Sequence, residues 1–346
     1  MRHRADRDRA RTFRLRLVTL SPNATAILLP LAVLPGLALG LLSPAAGEAL
    51  GAVIDPLVLS LLVLLFFEVR FQPLLKATRH LRFLSLAWAA NFLLIPLLGW
   101  GIASLFFGNQ PALFAGLLLY FLFPCTDWFL GFTRMAKGDV ALGAVLLPIN
   151  LLSQLLLFPV YLTLFIGTPS GSGVSGLWGS LWQWFLLPFA GALLLRFLLS
   201  RLLSPTRFET LPRLAGSLVP WILAALVCCV FGQHAPTLLA HPGELAFILP
   251  AVFLFFLVTW LLGEFLARRF RLAHGQKVLL AMTTAARNTP LVLGLTMIAL
   301  PDQPLIYAAL ILGMLVEFPH LTALSRLLSK EESQDTAPPQ AAATTS

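Results

Sequence analysis

The sequence predicts an all-α polytopic membrane protein: ten transmembrane helices in a 5+5 inverted repeat, with broken helices crossing in spans four and nine. Three observations predict it. The 346 residues are 58% hydrophobic and only 11% charged, with mean hydropathy +0.86, a balance that fits lipid rather than a soluble core. The Lys and Arg residues alternate from connection to connection. Two long apolar runs carry prolines and polar groups near their middles.

Seven of the 24 Lys and Arg residues lie within the first 16 positions, and segment 1–22 reads as a basic cytoplasmic N-terminus. The net charge of +9 therefore marks topology and argues against nucleic acid as a partner. A spanning helix needs ~20 mainly apolar residues. The runs 24–42, 50–69, 83–107, 112–134, 141–166, 178–199, 215–233, 246–266, 278–300 and 304–327 meet this requirement. The first is long for the apolar core of a signal peptide. In the second, Asp55 and Pro56 are expected to mark the helix start.

Arg70, Lys76, Arg79 and Arg82 follow span two, and Arg134 and Lys137 follow span four. Arg196, Arg201, Arg207 and Arg213 follow span six; Arg268, Arg269, Arg271 and Lys277 follow span eight; Arg326 and Lys330 follow span ten. The connections after the odd-numbered spans contain neither Lys nor Arg. The positive-inside rule then places both termini in the cytoplasm, and a plasma-membrane location is expected. Five spans per half give inverted repeats over 24–166 and 178–328, and the polar tail 331–346 is expected to be disordered.

Span four is interrupted at Pro124, beside Cys125 and Asp127; span nine is interrupted at Asn288-Thr289-Pro290. Paired interruptions of this kind present half-helix ends to substrate and ions near the bilayer midplane. Arg287 lies deep in span nine, and Asp127 is its expected partner. The pair either holds the crossing together or serves an oxyanion or a proton during turnover. Glu317 in span ten reads as a proton or cation site, with His320 one turn on as a second candidate for coupling. Asn150 and Gln154 share a face of span five, placed either to coordinate a solute or to bond between helices. Glu68 and Glu264 are expected to be solvated or paired with loop arginines at cytoplasmic helix ends. The thiol of Cys125 is a soft ligand suited to thiophilic centres. Cys228 and Cys229 read as helix packing, and the cysteine pattern argues against structural disulfides. With no nucleotide loop, metal cluster or clear Cys–His constellation, neither a cofactor nor an enzyme is expected.

Taken together, these residues resemble the Acr-type arsenite-efflux permeases of the bile acid/sodium symporter superfamily. Cys125 is followed by Ala136-Lys137-Gly138-Asp139; Asn150 and Gln154 precede Tyr161; Thr284-Ala285-Ala286-x-Asn288 precedes Val316-Glu317-x-Pro319. The resemblance implies spans four and nine crossing at the substrate site, and a panel of spans one, two, six and seven moving against the rest. It implies arsenite, perhaps antimonite, exported in exchange for protons, with Cys125 and Glu317 the residues tied to transport. Asn288, Asn150 and Gln154 would line the site. The chain lacks the glutamate- and glutamine-bearing span-nine motif of the sodium symporters. It also departs from the arsenite permeases at Arg287 and Asp127; a sodium- or proton-coupled transporter of an organic anion is the alternative, and a membrane-embedded enzyme with Cys125 as nucleophile is a remote one.

Overall fold

The computed structural model describes residues 22–68, 80–126, 128–166, 173–204, 208 and 210–335. The basic N-terminus, most of the arginine-bearing connection after span two, Asp127 and the end of the tail lie outside these residues. Fourteen helices account for the described chain: α1 (Pro22–Leu42), α2 (Pro44–Glu68), α3 (Leu81–Phe107), α4 (Pro111–Leu122), α5 (Phe129–Met135), α6 (Val140–Ile166), α7 (Gly173–Leu202), α8 (Leu211–Gln233), α9 (Ala235–Ala240), α10 (Pro242–Ala246), α11 (Ile248–Phe270), α12 (His274–Ala285), α13 (Thr289–Ala299) and α14 (Pro304–Asp335). Six are long and apolar enough to cross a membrane: α2, α3, α6, α8, α10 running into α11, and α14. Shorter apolar helices occupy Ile27–Leu42, α4 and α13. Large aliphatic and aromatic side chains such as Leu34, Leu97, Leu105, Phe253 and Phe265 stand exposed on helix flanks, as a lipid solvent permits.

Helix starts follow local chemistry. In α2, Pro44 occupies the first helical position, where a missing N–H costs nothing, and Ser43 Oγ accepts the Ala46 amide at 3.3 Å. This corrects the expected start of span two. The helix begins eleven residues before Asp55 and runs through Pro56, because a good cap is available upstream. Asp139 caps α6 by accepting the Leu142 amide at 2.9 Å. Before it, Lys137 closes the turn after α5 in the left-handed region, with φ 57. Pro148 and Pro319 lie within α6 and α14 and leave both helices continuous.

Two groups of helices emerge. α1, α2, α7 and α8 pack on one another. Gly36 and Gly40 of α1 face Cys228 and Gly232 of α8 so closely that a Cβ on Gly40 would lie 2.0 Å from the Gly232 carbonyl oxygen. Small residues four apart on each helix thus bring the backbones into direct contact, the usual means of helix association in lipid. The second group joins α3, α4, α11, α12 and α14, which surround the two helix breaks. α13 and α14 touch both groups.

Candidate functional site

The break in span four covers residues 123–128, between α4 and α5; the break in span nine covers 286–288, between α12 and α13. The two meet. A single antiparallel bridge pairs Pro124 with Arg287: the Cys125 amide donates to the Ala286 carbonyl at 2.9 Å, and the Asn288 amide to the Phe123 carbonyl at 3.0 Å. Each interruption thereby satisfies amides that the other leaves free, which lets irregular backbone persist at the centre of an apolar protein.

Glu317 of α14 is fully buried and reaches the junction. Its Oε1 accepts the Arg287 backbone N–H at 3.0 Å and the Trp128 indole N–H at 3.0 Å, and its Oε2 accepts the Tyr120 hydroxyl at 3.3 Å. All three donors are neutral. Among the described residues the carboxylate forms no salt bridge.

Asn288 stands at the N-cap position of α13. Its amide nitrogen donates to Thr126 Oγ1 and to Gln154 Oε1, each at 2.9 Å, joining both breaks to α6. Asn150, one turn before Gln154, donates to Thr283 Oγ1 at 3.3 Å, and Asn91 donates to the same oxygen at 3.1 Å. Asn91 lies in a π-helical turn of α3, Ala90–Leu94, a local widening often found at functional positions. Asn91 Oδ1, Asn150 Oδ1, Gln154 Nε2 and Thr289 Oγ1 are buried without a hydrogen-bond partner among the described residues. Buried groups of this kind are expensive and suit a site that meets a polar solute.

Cys125 is buried in the span-four break and belongs to no disulfide. Arg287 sits within the crossing, fully buried, and its guanidinium donates to the carbonyls of Phe121, Thr283, Thr284 and Ala285. Its expected partner, Asp127, lies outside the described residues. Four of the five guanidinium N–H bonds are directed at main chain, so the charge is met by carbonyl dipoles. His320 is stacked on Phe256 with ring centroids 4.0 Å apart, and its Nε2 has no hydrogen-bond partner among the described residues. It hydrogen-bonds neither Glu317 nor Cys125, so no Cys–His pair forms. Glu264 pairs with Arg268 and Lys277, each at 2.8 Å.

Tyr120, Trp128, Thr126 and Thr283 complete the site and escaped the sequence reading. Tyr120 and Trp128 did carry a signal, being aromatic residues with polar tips on either side of a helix break.

An all-helical, multi-pass membrane protein with paired helix breaks around a buried carboxylate is a transporter by class. The model of the sodium bile acid symporter family matches residues 56–232, and the chain belongs to that family. Over 255 residues it is 25% identical to the uncharacterized protein YbaS of Bacillus subtilis strain 168, covering 72% of this chain and 80% of that protein. Over 290 residues it is 21% identical to the arsenical-resistance protein Acr3 of Corynebacterium glutamicum, covering 79% of this chain and 78% of that one. The family is one of secondary transporters and not an enzyme class.

Proposed function

We propose that this protein exports arsenite, and antimonite with it, across the plasma membrane in exchange for protons. The observation that carries the proposal is the junction of the two breaks, which contains Cys125, receives the Glu317 carboxyl group and is tied through Asn288 to Gln154. Arsenite near neutral pH is an uncharged trihydroxy acid with a thiophilic centre. Cys125 exchanges an As–O bond for an As–S bond, and the displaced hydroxide leaves as water with the thiol proton. Asn150 Oδ1 and Gln154 Nε2 offer an acceptor and a donor to the remaining hydroxyls. Asn288 keeps Gln154 and Thr126 in place. Glu317 carries the coupling proton. Its oxygens accept from Tyr120 and Trp128 beside the first break and from the Arg287 amide in the second, so a change in its protonation is felt at both breaks. His320, stacked against Phe256, has no part in this relay.

In this reading α1, α2, α3, α4 with α5, α6, α7, α8, α11, α12 with α13, and α14 are the ten spans. Both termini are cytoplasmic, and the halves are inverted repeats. The group of α1, α2, α7 and α8 is the panel that rocks against the rest to alternate access. The guanidinium's commitment to carbonyls favours a neutral substrate over an organic anion, because four of its donors are already used.

The test is arsenite accumulation in arsenic-sensitive bacteria carrying empty vector, wild type or Cys125→Ser, with membrane levels matched. The wild type lowers accumulation and Cys125→Ser returns it to the vector level. Equal accumulation in wild-type and vector cells refutes the assignment.

A further inference from the structure

The breaks set up a problem of charge. α4 and α12 both end at the crossing, so the negative ends of two helix dipoles converge there. In a continuous helix, the carbonyls of Phe121, Thr283 and Thr284 would accept the amides of residues 125, 287 and 288. Here the Cys125 amide goes to Ala286, the Arg287 amide to Glu317 and the Asn288 amide to Phe123. Three carbonyl oxygens from two helices are thus released toward one point in the protein interior. In transporters built from discontinuous helices, such carbonyls and C-terminal half-helix ends gather a sodium ion. Here the guanidinium of Arg287 stands among them, at 2.9 Å from Phe121 O, 2.9 Å from Thr283 O and 2.7 Å from Thr284 O. Phe255 covers it, its ring centroid 5.5 Å from the guanidinium carbon, and Phe121 stacks on Phe255 with centroids 4.1 Å apart.

We infer that Arg287 is a tethered cation that takes the place of a coupling sodium ion at the helix crossing, so that this member of a sodium symporter family works without sodium. The inference rests on reading the crossing as the transport site, but it concerns the coupling ion and not the substrate. A planar guanidinium carries donors on three nitrogens, and here each of the three bonds a carbonyl of the crossing. It also cannot leave. The charge balance of the crossing is then constant through the cycle, and only a proton on Glu317 changes it.

The experiment is thermal unfolding of the purified protein in detergent, in choline chloride, sodium chloride, and choline chloride with low-millimolar guanidinium. Wild-type curves superimpose in all three. Arg287→Ala melts several degrees lower in choline and recovers on addition of sodium or guanidinium, which enter the emptied carbonyl cage. A wild-type protein stabilised by sodium overturns the inference, as does an Arg287→Ala protein that melts like the wild type or responds to neither cation. If Arg287→Ala cannot be isolated folded, Arg287→Lys and Arg287→Met decide. Folded protein from the lysine variant alone supports a charge requirement, and the same outcome for both overturns it. No arsenite enters these measurements, so the substrate assignment and this inference fail separately.

Discussion

Glu317 can be perturbed in two ways that the structure separates. Glu317→Ala removes the acceptor of three donors, the buried Arg287 amide and Tyr120 hydroxyl and the half-buried Trp128 indole. Hydrogen bonds between membrane helices average about 0.6 kcal/mol, because partners are also found in the unfolded reference state. A buried donor left unsatisfied costs about 1–3 kcal/mol. With the bond average for all three as floor, and the orphaning cost for the two buried donors plus the bond average for Trp128 as ceiling, the loss is about 2–7 kcal/mol, the upper part applying if no water enters. Glu317→Gln keeps the shape. Its carbonyl oxygen still accepts from Arg287 and Trp128, and its amide nitrogen can donate to the Tyr120 oxygen. The expected outcome is a melting temperature several degrees lower for Glu317→Ala and near wild type for Glu317→Gln, with arsenite export lost in both. Thermal unfolding in detergent and arsenite accumulation at matched expression read the two effects. Unchanged stability in Glu317→Ala refutes the hydrogen-bond accounting. Retained export in Glu317→Gln refutes the proton-carrying role.

Two further outcomes follow from features away from the breaks. Gly40→Ala places a methyl group 2.0 Å from the Gly232 carbonyl oxygen and forces α1 and α8 apart, costing at least about 1–3 kcal/mol, whereas Gly191→Ala, with open space around it, leaves the melting temperature at or above wild type. His234, just beyond the end of α8, has its imidazole pushed below the usual 6.5 by burial, against an opposing pull from Asp302. The folded protein therefore refuses a proton that the unfolded chain accepts. Stability is full above pH 6.5 and falls as the pH drops from there toward the lowered folded value, and unfolding midpoints of His234→Gln across that range show a shallower decline.

Much of the architecture was legible because lipid imposes severe rules. Apolar length marks the helices, and a proline beside polar residues marks a break. Cys125, Asn288, Gln154 and Glu317 stood out as groups that hydrocarbon rejects, and they converge. The start of α2 did not stand out: Pro44 and Ser43 define it, yet Asp55-Pro56 is the louder local signal. Arg287 shows a deeper limit. A search for its partner among side chains leads to an acid, whereas the groups that meet its charge are carbonyls. Every residue carries a carbonyl, and only the path of the backbone decides which are released. Thr283 was overlooked for a related reason. A threonine in an apolar helix ordinarily bonds its own backbone, and only packing brings two asparagines to it.

The bridge between Pro124 and Arg287 also bears on how the protein is made. The two sides lie some 160 residues apart in the chain, so span four enters the membrane well before its counterpart is synthesised. Until then the Cys125 amide and the Phe123 carbonyl have no partner in span nine, and the first half must wait with its broken helix incomplete. The pairing of the two breaks can therefore form only after the later segment has been made. Lesions at either break should mark the nascent protein for quality control as well as impair transport.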